Sequence, residues 1–210
     1  MTHISLDLET WGKTPGCDIR SIGAVVFDPI AGLVNHKAPH RGMSQFYIAT
    51  DNPTTPHEQS YCEACGTEWY GGDIPRYQLV RDPETVQWWN EQSPDAQAAF
   101  ANPVDLRDAC ARFGLWINEV SDHQADTVRI WANDPHFDVS ILDAVYRAVG
   151  LPVPWHYPAP RSMRTIVEAA GMTRDDMAQF NHSTAHNALD DAINQAMIVC
   201  EAYKRLGLQR

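Results

Sequence analysis

The sequence holds no apolar run near the 18 or more residues that span a bilayer. Its first ten residues carry neither the basic stretch nor the apolar stretch of a secretion signal. Membrane-spanning and secreted classes are therefore not expected, and a cytoplasmic chain is. Positive charge is also scarce: 16 basic residues face 27 acidic ones, for a net charge of −11. A broad nucleic-acid footprint or a membrane-surface patch needs the opposite balance. Internal repeats and low-complexity segments are missing, which excludes collagen, coiled coil and disorder as the main state. The five cysteines are odd in number, and Cys17, Cys110 and Cys200 stand alone. That pattern fits reduced thiols better than a disulfide framework.

What is there is an ordinary globular composition, 44% apolar and 20% charged over 210 residues. This length implies one domain over residues 1–210, able to bury a core without staples. Residues 3–8 alternate, with His3, Ser5 and Asp7 on one side and Ile4, Leu6 and Leu8 on the other, which reads as a strand. Ile19 to Phe27 reads as a second strand, and a third ends near Ile48. Short links make these three an antiparallel meander. Asp82-Pro83-Glu84 starts a helix with an acidic cap and proline in its first turn. A second helix is expected over Leu106–Val120, a buried strand at Val128–Trp131, and a helix over 136–149 stopped by Gly150 and Pro152. A last long helix carries Leu189, Ile193, Ala196, Met197, Cys200 and Tyr203 on one stripe, with Ser183 or Thr184 as its cap. The order gives an α/β domain with a mixed sheet.

Residues 49–82 interrupt this pattern. They are polar, hold Pro53, Pro56, Pro75 and Gly71-Gly72, and read as an insertion. Cys62 and Cys65 form one CxxC pair, with His57 five residues earlier. A structural zinc needs four ligands, and no second CxxC exists to complete one. A zinc staple on Cys62, Cys65 and His57, a reduced pair and a redox disulfide all remain open at this level.

Three acidic clusters carry the chemistry. Asp7 and Glu9 are two apart on the first strand and share a face. Two adjacent carboxylates repel unless a cation lies between them, and hard Mg²⁺ or Mn²⁺ prefers oxygen ligands. A solvated strand end would also tolerate such a pair. Asp138 follows Asn133 and Phe137 where the fourth strand feeds a helix, and alone it reads equally as a helix N-terminal acid. His186 and Asp191 are five apart, about 140° around an ideal helix axis, so they cannot stack within one helix. His186 is expected in the first turn or just before it, with Asp191 inside the helix.

Together, Asp-x-Glu, Asn-x-x-x-Phe-Asp and His-x-x-x-x-Asp, in this order, resemble the DEDD exonuclease superfamily, histidine subtype. The resemblance covers roughly residues 3–50 and 80–206. It extends to small phage and mycobacterial 3′–5′ exonucleases through Trp88-Trp89 and through Pro154, Trp155, Tyr157, Arg164 and Thr165. Two departures are Asp134, where that branch often has glycine, and Ser162, where it often has an acid. The resemblance implies an RNase H-like mixed five-stranded sheet, three antiparallel strands followed by parallel ones, flanked by helices.

It also implies two Mg²⁺ or Mn²⁺ ions held by Asp7, Glu9, Asp138 and Asp191. Histidine titrates near neutrality, which suits His186 as the base for the attacking water. The implied reaction hydrolyses the terminal phosphodiester of an RNA or single-stranded DNA 3′ end to a nucleoside 5′-monophosphate. Thr10 corresponds to the family's contact to the terminal 3′-hydroxyl. Asn133 and Phe137 position Asp138 and wall the cleft. Trp11 either stacks on a terminal base or covers the core. A non-catalytic nucleic-acid-binding module and an RNase H-like endonuclease are the alternatives, disfavoured by the full carboxylate set and by the His-x-x-x-x-Asp spacing respectively. Many relatives form homodimers. Bound cations offset about four of the negative charges, and what remains implies weak, non-processive binding to long strands.

Overall fold

A computed structural model describes residues 1–33, 44–55, 60–61, 68–69, 74–180 and 186–208. His57, Cys62, Cys65, Ser183 and Thr184 lie outside the described residues. Strands β1 (Thr2–Thr10), β2 (Ile19–Asp28), β3 (Gly32–Leu33) and β4 (Gln45–Asp51) open the chain. Two short ladders follow, β5 (Thr54–Thr55) with β8 (Ile74–Pro75), and β6 (Ser60–Tyr61) with β7 (Glu68–Trp69). Next come α1 (Pro83–Asn90), α2 (Pro94–Ala98), β9 (Val104–Asp105), α3 (Leu106–Val120), β10 (Val128–Ala132) and α4 (Asp138–Ala148). The chain closes with β11 (Pro160–Ser162), α5 (Met163–Ala169), α6 (Arg174–Ala178) and α7 (Ala188–Arg205).

The main sheet runs β11-β10-β1-β2-β4-β9, with β3 pairing beside β2. β1, β2 and β4 are antiparallel, whereas β10 lies parallel to β1 and β11 parallel to β10. The expected five strands are therefore present in the expected sense. The other two, β3 and β9, are only two residues long and carry no periodicity to read.

β1 sits between β10 and β2, so both its edges are paired, and helices cover both its faces. Ile4, Leu6 and Leu8 pack with Ile22, Ala24 and Val26 against Phe113 and Ile117 of α3 and Ile141, Leu142 and Val145 of α4. The opposite face holds Val25, Phe27 and Trp131 beneath α5 and α7, which contribute Met163, Val167, Ala192, Ala196 and Val199. The polar side of β1 is thus a helix-covered face rather than a solvated one, and Ser5 is fully buried.

α7 approaches this face closely because its contact residues are small. Ala188, Ala192 and Ala196 are fully buried, and Gly23 of β2 leaves no room for a side chain under Ala188. The helix is capped by Asn187, whose Oδ1 accepts from the Leu189 and Asp190 amides at 3.0 and 3.3 Å. This replaces the expected Ser183 or Thr184 cap. A cap must lie immediately before the first helical residue, and His186 in a left-handed conformation (φ +67°) breaks the helix ahead of Asn187.

The polar excursion is narrower than residues 49–82. β4 continues to Asp51, and Leu79 reaches the core. Its neck is held by polar side chains. Arg81 Nε contacts Asp18 Oδ2 at 2.8 Å, and Arg81 Nη2 donates to the Asn52 carbonyl at 3.0 Å. The Asn52 side chain accepts from the Tyr77 amide at 3.2 Å. No helix among the described residues is long and apolar enough to cross a membrane.

Candidate active site

Alternation along β1 sends Asp7 and Glu9 to the face that α7 covers. The register pairs Asp7 with Gly23 and Glu9 with Ser21, and Gly23 lets the start of α7 come down close beside the carboxylates. That approach brings Asp191 to Asp7 and Glu9. Carboxylate oxygens of Asp7, Glu9 and Asp191 all lie within 4.8 Å of one another. Asp138 begins α4 at the end of β10 and is 3% exposed. It stands outside that triplet of oxygens, yet its charge acts on both Asp7 and Glu9.

Burial pushes every one of these groups toward its neutral form, and repulsion from the other acids of the cluster adds to it at Asp7 and Glu9. Burial, followed by the charges of Asp138, Glu9 and Asp191, raises Asp7 well above the usual carboxylate range. Burial raises Glu9 to about 8; Asp191 adds to the rise and Arg20 opposes it. Burial brings Asp138 to about 7 against the pull of the Asp138 and Leu8 amides. Asp191 is raised by burial and drawn back by His186. Four acids that resist ionisation together are a site short of positive charge. Hard divalent cations such as Mg²⁺ or Mn²⁺ match an all-oxygen donor set, so these residues fit the expected metals.

The cleft above them has a volume of about 590 Å³. Thr10, Trp88, Phe137 and His186 line it beside the acids. The His186 ring meets the edges of Trp88 and Trp89, with centroids 4.8 and 5.9 Å away. Trp89 is buried and anchors α1 through an Nε1 bond of 2.8 Å to the Thr10 carbonyl. Trp88 is 41% exposed. Both adjacent tryptophans line the cleft, Trp89 buried in its wall and Trp88 exposed at its surface.

The four expected substrate contacts are placed as follows. Thr10 lines the cleft, but its hydroxyl already donates to the Gly12 carbonyl at 2.6 Å. Trp11 does not line it. Arg20 lies 4.4 Å and Arg81 5.1 Å from the centroid of the Trp11 ring, so this aromatic supports the wall instead. Asn133 also stays outside the lining. Its Oδ1 accepts from Arg164 Nε at 3.3 Å, while Asp134 pairs with the same guanidinium at 3.3 Å. Phe137 does line the cleft, directly before Asp138.

Sequence reading missed two polar side chains. Arg20 is buried against Trp89 and Phe100, 4.4 and 3.7 Å from the ring centroids, with its charge acting on Glu9. No motif marks it, because a bulge between Glu9 and Thr10 sets its position in the ladder. Gln195 donates to Asp7 Oδ1 at 2.7 Å. Its spacing of one helical turn beyond Asp191 is the signal that could have found it.

A family model described as the 3′–5′ exoribonuclease Rv2179c-like domain matches residues 2–203. No curated protein sequence matches the chain. Among solved structures, Escherichia coli exonuclease I in complex with a dT13 oligonucleotide aligns with a TM-score of 0.59 at 15% identity, over 98% of this chain. The alignment spans 41% of that protein's length. Schizosaccharomyces pombe Pop2p, in a form with Mg²⁺ and Mn²⁺ bound, gives 0.56 at 13% identity over 97% of this chain and 83% of its own. The nuclease domain of 3′hExo, a DEDDh family member bound to rAMP, gives 0.50 at 11% identity over 97% and 92%. At these identities the likeness establishes the shared fold, an RNase H-like mixed sheet flanked by helices.

Proposed function

The chain belongs to the Rv2179c-like 3′–5′ exoribonuclease domain family, and on that premise we propose that it is a metal-dependent 3′–5′ exonuclease. The observation that carries this reading is the convergence of Asp7, Glu9 and Asp191 oxygens within 4.8 Å, with Asp138 beside them. Two divalent ions bound there would supply Lewis-acid stabilisation of the attacking and leaving oxygens of a phosphoryl displacement. Asp7, Glu9, Asp138 and Asp191 would hold them.

The remaining work falls to the chain's own groups. His186, at the cleft wall, accepts the proton of the attacking water on a ring nitrogen. Its two tryptophan contacts limit how the ring can turn. Trp88, rather than Trp11, offers an exposed indole face on which the terminal base stacks. Thr10 offers backbone groups to the terminal 3′-hydroxyl. The products are nucleoside 5′-monophosphates.

Substrate choice follows the family description, which favours RNA; single-stranded DNA is the second substrate class. With a net charge of −11 the protein has no broad attraction for polyanions. It engages a short 3′ end inside the cleft and releases the strand after few steps.

Matched RNA and DNA oligonucleotides labelled at the 5′ end, with Mg²⁺ or Mn²⁺, test the proposal. A ladder that shortens from the 3′ end is expected, more rapidly on RNA. Internal cuts identify an endonuclease, and an intact strand at every metal concentration defeats the catalytic reading. Affinity that climbs with strand length and collapses with salt contradicts the non-processive part.

A further inference from the structure

We infer that Gln195 is the positioning residue for the Asp7 carboxylate, an inference that rests on the metal reading above. α7 makes two contributions to the site, one turn apart. Asp191 supplies a carboxylate, and Gln195 supplies an amide N–H that binds Asp7 Oδ1 at 2.7 Å. The two partners are 188 residues apart in sequence and meet because α7 lies on the polar face of β1. One oxygen of Asp7 is thereby held, and the carboxylate cannot swing freely away from Glu9 and Asp191.

Among the described residues this is the hydrogen bond that orients the amide. Gln195 is 8% exposed, and among the described residues its Oε1 has no hydrogen-bond partner. A buried carbonyl without a donor is unfavourable, so a residue chosen for packing at this point of α7 would be apolar. Its Nε2 bond opposes the rise that burial and three neighbouring acids impose on Asp7. The geometry is that of an outer partner that fixes a ligand's direction, whose loss typically weakens metal affinity about 10- to 100-fold.

The test is Mn²⁺ binding to the full chain, followed by electron paramagnetic resonance of the free ion, alongside thermal unfolding. Gln195→Met keeps the length and removes the donor. Its Mn²⁺ dissociation constant is expected to rise about 10- to 100-fold, with exonuclease activity returning at saturating Mn²⁺. Ile198→Ala, a packing change further along α7, should lower the unfolding midpoint and leave Mn²⁺ affinity unchanged. Gln195→Ala makes the same comparison should the Met variant not fold. Unaltered Mn²⁺ affinity in Gln195→Met, while Asp191→Asn loses binding, overturns the inference and leaves the metal reading standing. No Mn²⁺ binding by the unsubstituted chain overturns both.

Discussion

Gly23 and Ala188 are in direct backbone contact: a Cβ on Gly23 would lie 2.1 Å from the Ala188 carbonyl carbon. The contact fixes the height of α7 above β2, and with it the reach of Asp191 toward Asp7 and Glu9.

Gly23→Ala should therefore damage both the fold and the site. Backbone cannot yield as a flexible side chain does, so a cost of about 3 kcal/mol is expected, the upper end of the overpacking range. Urea unfolding measures it. Metal-induced stabilisation should fall with it, because α7 lifts as a unit. A variant with normal Mn²⁺ affinity would show that the helix height does not govern the site.

The acids predict a pH dependence with a definite sign. Burial and repulsion raise Glu9 to about 8 and Asp138 to about 7, above their unfolded values near about 4. Metal-free folded protein thus holds more protons than the unfolded chain between those limits. The associated stability is present below the unfolded values and is lost as pH rises through 7 to 8. Urea midpoints in chelator should decline over that window, and saturating Mg²⁺ should remove the decline. Midpoints that rise with pH in chelator contradict the assignment.

Replacing single members of the cluster should separate chemistry from folding. Asp191→Asn and Asp138→Ala are expected to abolish hydrolysis with the far-ultraviolet circular dichroism intact. Asp191→Asn should also stabilise the metal-free protein, by about 1 kcal/mol, through relief of like-charge repulsion. His186→Ala should lose roughly 10²- to 10⁴-fold in rate while Mn²⁺ binding persists. An unchanged pH–rate profile in that variant removes His186 as the base.

The two exposed-side tryptophans should respond differently. Trp88→Ala is expected to weaken substrate binding by roughly 1–3 kcal/mol, the range for a lost base-stacking surface. Trp11→Ala should instead lower stability by about 1 kcal/mol through lost cation–π contacts with Arg20 and Arg81. Measured KM values and unfolding midpoints for both variants decide it. The opposite pattern returns the stacking role to Trp11.

Much of the architecture was legible because it is written in local periodicity. Ile4, Leu6 and Leu8 announce a strand, Asp82-Pro83 announces the start of α1, and Leu106–Val120 is a helix to the residue. The spacings Asp7-x-Glu9 and His186-x-x-x-x-Asp191 held the acids and the histidine in view, including the placement of His186 ahead of the helix. The cap at Asn187 was missed because Ser183 and Thr184 are equally good capping types. The left-handed backbone at His186, which decides among them, has no signature in residue type.

The sequence by itself determined the long elements and which residue types can ligate a metal, since both depend on neighbours within one turn or one strand. Only the tertiary structure decided which side chains meet. Gln195 reaches Asp7, Gly23 admits Ala188, Trp88 rather than Trp11 faces the cleft, and Arg81 closes the neck of the excursion on Asp18. Such pairings depend on strand register and on how closely one element can approach another. Both are set by packing across the whole molecule, to which no short stretch of chain is sensitive.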